Sequence, residues 1–390
     1  MRCTRPDDVL GQLADCVALP SPTPPGDAAT VADWVADWAE ELGASVERQP
    51  VWDGAANVLV TLRFGPGPRL VFNSHMDVVD PTGQVWATPP YLPVTADGRM
   101  SGRGTCDAKG SLVAMLAAME RLAARPGGLT GELVLTAVVG EEAGGLGSVR
   151  LVRDGFTADA AVVGEPTGLR VARAHKGTYM KRLRFRGTAA HSASPWLGHN
   201  AVADAAAFVA ATEAETRRLA EHPHPALGPG TLTVTLIEGG NFQNTVPATC
   251  ELTVDRRLVP GETHADCDRQ LAELLDELAL TRPGMDVEPP EVIVATVPSE
   301  TVADLRIVRS ALAAVVRAGR PAAEAGGFNA GCDMSKLVGA GVPTVICGPG
   351  ELAQAHGPDE YVAVRDVVDA VTVYETIARD MLAAGEGIGG

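Results

Sequence analysis

The chain has 390 residues, 46% hydrophobic and 21% charged, a globular composition that excludes a disordered protein and, at roughly 100–200 residues per domain, implies two or three domains. Lys and Arg total 32 against 49 Asp and Glu, a formal charge of −17, which argues against a nucleic-acid partner. No uncharged apolar run reaches the roughly 18 residues of a membrane span, residues 1–8 lack an apolar signal core, and the seven cysteines include no C-x-x-C pair. The expectation is a cytoplasmic protein, off the membrane, without a disulfide scaffold or thiolate zinc site. Any metal should then be held by carboxylates and imidazoles.

Taken in order, the first half alternates helix and strand. Val31, Trp34, Val35, Trp38 and Leu42 recur at helical intervals and predict a helix over 27–42, stopped by Gly43, with Trp34 and Trp38 in the core. Strands are predicted over 57–64 and 69–73, a helix over 110–124, and apolar strands over 132–139 and 160–164. This rhythm predicts an α/β domain with a mainly parallel sheet and helices on both faces. The middle reads differently: a strand over 179–187, a helix over 200–219, strands over 231–237 and 249–258, a helix over 265–280, and a strand over 285–294 broken by Pro289 and Pro290. That β-α-β-β-α-β order is ferredoxin-like. The first pattern then returns, with helices over 302–316 and 364–382 around a strand over 342–347. The expected organisation is a discontinuous α/β domain, 1–178 plus 297–390, interrupted by an α+β domain over 179–296.

Ligands of an open α/β sheet gather at the carboxyl ends of its strands. Three early predicted strands run into Ser74-His75-Met76-Asp77, Gly140-Glu141-Glu142 and Gly164-Glu165-Pro166. The late one leads to Ala355-His356-Gly357-Pro358-Asp359-Glu360, and Gly102-Arg103-Gly104-Thr105-Cys106-Asp107 precedes a helix. Singly, each has a plainer reading: His75 a loop histidine, Glu141 and Glu142 a solvated pair, Glu165-Pro166 a turn. Together they place five polar clusters on one sheet edge. Two imidazoles with several carboxylates suit zinc, or cobalt or manganese, in numbers sufficient for two ions sharing one carboxylate. Asp77, two residues past His75, is placed to accept that imidazole's second N–H. Several residues are set aside: Gly102-Arg103-Gly104 lacks phosphate-loop spacing, His222 and His224 sit in a Pro-rich turn, His199 and His264 flank helix starts, and Cys106 reads as packing.

These five segments, in their order along the chain, resemble the dinuclear zinc amidohydrolases that include acetylornithine deacetylase, succinyl-diaminopimelate desuccinylase, aminoacylase and glutamate carboxypeptidase. The resemblance implies that His75, Asp107 and Glu165 hold one metal and Asp107, Glu142 and His356 the other, with Asp107 as the bridge. It makes Glu141 the general base and Asp77 the orienter of His75. The inserted domain becomes a lid and homodimer interface, whose His191 acts in the partner's site. Asn244 and Arg257 would contact the substrate carboxylate; strand alternation sends only one of Arg256 and Arg257 toward the cleft, and the motif register of the resemblance favours Arg257. Asp333, in Ala330-Gly331-Cys332-Asp333-Met334, falls in a loop near the substrate.

The implied reaction is metal-dependent hydrolysis of the amide of an N-acyl amino acid. A dipeptidase or carboxypeptidase on the same scaffold is the near alternative, and a non-catalytic amino-acid-binding relative the remote one.

Overall fold

A computed structural model of the chain describes residues 6–23 and 28–385. Asp27, the expected first residue of a helix, lies outside the described residues, as do residues 1–5 of the segment read for a signal core. The chain divides into two compact units: Met1–Ala174 with Glu300–Phe328 and Cys332–Gly390, and His175–Ser299 with Asn329–Gly331.

The first unit is built on a mixed sheet of nine strands. Its centre is parallel. Strand Arg69–His75 lies between Glu132–Val138 and Ala160–Val163, and Thr344–Ile346 adds beyond the latter. The flanks are antiparallel: Ala55–Arg63 and Ser45–Trp52 on one side, Ala172–His175 on the other. The tight Asp53-Gly54 turn allows no other pairing for its two strands, since a parallel pair needs a crossover. Along the central strands, side chains alternate. Leu70, Phe72, Leu133, Leu135, Ala160, Val162 and Val345 face a large cluster shared with helices Pro6–Val17, Ala29–Glu41, Lys109–Ala124, Arg306–Arg317 and Val364–Met381. Each fully buried large aliphatic contributes about 1.5–3 kcal/mol. Trp34 and Trp38 rim this cluster rather than fill it, half-buried and edge-to-face at 5.2 Å. By alternation Val71, Asn73 and Thr136 point the opposite way, where Asn73 meets Ser148 of helix Leu146–Arg153, which packs on Met334–Gly339. The sheet is thus covered on both faces.

The second unit carries an antiparallel sheet in the order Thr231–Gly239, Thr249–Leu258, Gly177–Arg186, then Asp286–Val287 and Glu291–Ala295. With helices Ala201–Ala220 and His264–Thr281 it follows the β-α-β-β-α-β order. Pro289 and Pro290 split the last strand, because proline offers no ladder N–H. Leu183, Phe185, Phe208, Leu252 and Val254 form its core. Asn200 caps the first helix, and Thr263 with Asp266 forms a capping box on the second. His199 binds Asp204 at 2.5 Å and His264 stacks on Tyr179, so both serve the unit's packing. Among the described residues no helix is long and apolar enough to cross a membrane.

Candidate metal centre

The parallel centre delivers its strand ends to one edge of the first unit. His75 ends its strand, Glu141 and Glu142 follow Val138 by a tight turn, and Glu165 stands two residues past Val163. The turn demands glycine at Gly140: φ is +73° and a Cβ there would meet the Trp52 ring at 2.9 Å. Gly104 has the same need, with φ +86° and Val78 at 2.6 Å from a Cβ, and its turn leads to Asp107. His356 comes from the loop between Thr344–Ile346 and Tyr361–Ala363, with a left-handed φ of 65°.

Asp107 stands between the two histidines. Its Oδ1 is 3.0 Å from His75 Nε2 and its Oδ2 is 3.2 Å from His356 Nε2. Glu142 Oε1 lies 3.2 Å from the same His356 nitrogen, and Glu165 Oε1 4.0 Å from His75 Nε2. Ligand atoms of His75, Asp107 and Glu142 lie within 4.8 Å of one another. On the other face of the sheet Asn73 donates to Ser148, and Ser148 donates to Asp333 Oδ2 at 2.7 Å. Asp333 is buried, and its charge is felt at Glu141.

Asp77 needs a correction. Its backbone carbonyl, not its carboxylate, accepts from His75 Nδ1, at 2.8 Å against 3.8 Å to Oδ1. The short i to i+2 span brings the carbonyl closer. A carbonyl only accepts, so Nδ1 carries a proton, and in the neutral ring Nε2 would be the nitrogen left with a lone pair. The Asp77 carboxylate instead accepts the backbone N–H of Glu141 and of Glu142, 3.2 Å each.

The electrostatics show what the cluster lacks. Burial pushes Glu141 and Glu165 well up and Glu142 up, and neighbouring carboxylates add to this. Burial would raise Asp107 too, but hydrogen bonds from His356 and His75 hold it well below the usual carboxylate range. Burial would lower His75, yet Asp107 and Glu165 carry it well up. Hydrogen bonds to Asp107 and Glu142 push His356 up to about 10. A lone pair facing a carboxylate repels it, so His75, with its Nδ1 proton committed to the Asp77 carbonyl, must take a second proton or yield to a cation. Six carboxylates (Asp77, Asp107, Glu141, Glu142, Glu165, Asp333) crowd two imidazoles, and buried charge of one sign needs compensation. The donor set of nitrogen and carboxylate oxygen fits divalent transition metals.

The profile of peptidase family M20/M25/M40 matches residues 71–380. The chain belongs to this family. Within it, an acetylornithine deacetylase of Proteus mirabilis (strain HI4320) is 30% identical over 336 residues, 84% of each chain. Two solved structures share the fold: a tripeptidase of Staphylococcus aureus (TM-score 0.82, 21% identity, 97% of this chain and 99% of that one) and aminopeptidase PepT of Bacillus cereus (0.80, 22%, 97% and 99%). This M20/M25/M40 member is a metal-dependent hydrolase.

His191, Asn244 and Arg257 belong to the second unit. His191 and Asn244 are exposed neighbours, Ser192 N–H donating to the Asn244 carbonyl at 2.9 Å. Arg256 is buried and paired with Glu262, whereas Arg257 turns to the opposite face. There it donates to Thr178 Oγ1 at 2.8 Å and to Asp255 Oδ2 at 3.0 Å, leaving guanidinium donors over. Sequence reasoning assigned no role to Gln84, Arg103 or Glu360. Arg103 and Glu360 stood inside two of the motifs, and a charged residue in a glycine turn that cannot cradle phosphate was the available signal.

Proposed function

We propose that this hydrolase cleaves the amide bond of N-acyl amino acids, releasing a carboxylate and the free amino acid. Two divalent cations, zinc first with cobalt or manganese as alternatives, would be held by His75, Asp107 and Glu165 and by Asp107, Glu142 and His356. The observation that carries this reading is Asp107, whose two oxygens face two different histidines. When bound, such ions lower the pKa of water toward neutrality and polarise a carbonyl.

The chain's own residues do the rest. Glu141, anchored through its backbone N–H by Asp77, takes a proton from water and returns it to the departing amine. His191 donates to the developing oxyanion, from the partner protomer of a homodimer. Arg257 and Asn244 hold the substrate carboxylate, with the second unit acting as a lid. Asp333, expected near the substrate, is buried against Ser148 and would act through its charge on Glu141. Supporting the acyl-amino-acid reading is the deacetylase relative. The peptidase names of the structural neighbours support a dipeptidase or carboxypeptidase as the second reading. A cytoplasmic setting is supported by the six free, buried cysteines among the described residues.

The test is purified protein with zinc or cobalt on acetyl-, succinyl- and formyl-amino acids and on dipeptides, beside Glu141→Ala. Turnover of acyl amino acids that Glu141→Ala abolishes supports the proposal. Turnover confined to dipeptides transfers it to the peptidase reading, and amino-acid binding without turnover in either protein would favour a binding relative.

A further inference from the structure

Glu360 is fully buried, yet none of its oxygen is free to bind a ligand. Its Oε1 accepts three backbone N–H groups from the turn that carries Asp107: Gly104 at 3.0 Å, Cys106 at 2.9 Å and Asp107 itself at 3.1 Å. Its Oε2 takes Arg103 Nη1 at 2.7 Å, and both side chains are at most 1% exposed. The other arm of the same guanidinium reaches the second metal loop. Arg103 Nη2 donates to the carbonyl of His356 at 3.1 Å and to Gln84 Oε1 at 2.7 Å, while Gln84 Nε2 donates to the same His356 carbonyl at 2.8 Å. The chain is zipped on both sides of this clasp. Arg99–Ser101, just before the turn, pairs with Tyr361–Ala363, just after Glu360, and Gly102 N–H reaches the Glu360 carbonyl at 2.9 Å.

His356 holds a left-handed backbone, which a non-glycine residue keeps only where its surroundings over-determine it. Two donors on its carbonyl fix the peptide plane that follows, and so the direction of the imidazole. Three N–H bonds on one carboxylate oxygen fix the turn that aims Asp107. One ion pair therefore sets both sides of a site to which Asp107 contributes Oδ2 and His356 contributes Nε2, 3.2 Å apart.

We propose that Arg103 and Glu360 are positioning residues that hold Asp107 and His356 in register for the cation shared by Asp107, Glu142 and His356. This rests on the two-cation reading above. Arg103's planar fork is essential to it, because a lysine is a point charge that cannot serve Glu360, Gln84 and the His356 carbonyl together. Glu360→Gln keeps the volume and one oxygen for the three N–H groups but turns an NH2 toward Arg103, donor against donor.

The experiment titrates metal-free wild type, Glu360→Gln and Arg103→Lys with cobalt, following calorimetry and visible absorption, with circular-dichroism melting of each metal-free protein. Support is a roughly 10–100-fold weaker cobalt equivalent in each variant, the usual cost of losing a partner of a ligand, with an altered spectrum and the other equivalent less affected. Both variants binding two cobalt ions with wild-type affinity and spectrum overturns the proposal, even if their melting temperatures fall. If Glu360→Gln does not fold, Arg103→Lys decides alone, since it keeps a cation opposite Glu360. Wild type that binds no cobalt would sink the two-cation reading itself and this inference with it, an outcome distinct from variants that match a two-cobalt wild type.

Discussion

Asp77→Asn separates two accounts of how the centre is ordered. If the carboxylate fixed the tautomer of His75, the amide would disturb a metal ligand. The structure gives that task to the backbone carbonyl, 2.8 Å from Nδ1, which the substitution leaves in place. What changes is the grip on Glu141 and Glu142. Each donates a backbone N–H to a different oxygen of Asp77, at 3.2 Å. Asparagine keeps one oxygen, so one N–H must face an NH2. A hydrogen bond to a charged acceptor contributes about 1.5–3 kcal/mol. These two are at the long end of the usual range, so the lower figure applies. At about 1.4 kcal/mol per decade, kcat should fall on the order of tenfold through a displaced Glu141. Metal content should stay that of the wild type. The assay is kcat on the best acyl-amino-acid substrate, paired with metal analysis by atomic absorption. A variant that loses metal, or one with wild-type kcat, refutes the reasoning.

On the proposed assignment His356→Ala removes a ligand from one side of Asp107 only, so the metal bound per chain by zinc-loaded protein should drop by about one equivalent after dialysis; retention of the full complement would contradict the assignment. Arg257→Lys exchanges a fork for a point charge, and should raise KM for substrates with a free carboxylate more than it lowers kcat, with little change for the corresponding carboxamides. In the second unit, Asp266 is held down to about 2 by the Thr263 hydroxyl, Arg269 and the Thr263 N–H, against an ordinary 3.8. A depressed folded value means that its contribution is complete above about pH 4 and is lost as pH falls toward 2. Acid melting curves followed by circular dichroism should therefore lose that part of their pH dependence in Asp266→Asn.

The parallel centre was legible because strands buried on both faces carry near-continuous apolar runs, as in Leu133 to Val138 with Thr136 as the one polar residue, and because a polar cluster follows each one. The second unit was legible from period alone, including the break at Pro289. Strand Ser45–Trp52 escaped notice: it is a sheet edge, largely solvent-facing, with a proline inside it. Helices Pro6–Val17 and Leu146–Arg153 were not marked, the second because Gly144 and Gly145 stand just before it. Within the site, residue types and order marked residues such as His75, Asp107 and Glu142 that the structure brings together, whereas hydrogen-bond partners did not follow from them. Spacing placed Asp77 beside His75 but could not distinguish its carbonyl from its carboxylate.

The same geometry that makes the core creates the need for ions. Parallel strands must end together, so residues placed after His75, Val138, Val163 and Ile346 converge whether or not their charges agree. Here they are mostly carboxylates, and the fold answers them in two ways. Where a carboxylate can be saturated by backbone N–H groups and a guanidinium, as Glu360 is, it becomes rigid structure. Where it faces imidazole nitrogen and other carboxylates, as Asp107, Glu142 and Glu165 do, its ion-pair partners among the described residues are the two histidines. Protons can balance that charge by occupying the nitrogens or the carboxylates themselves, whose hold on a proton burial strengthens. Divalent ions would balance it with the histidines neutral and the carboxylates ionised.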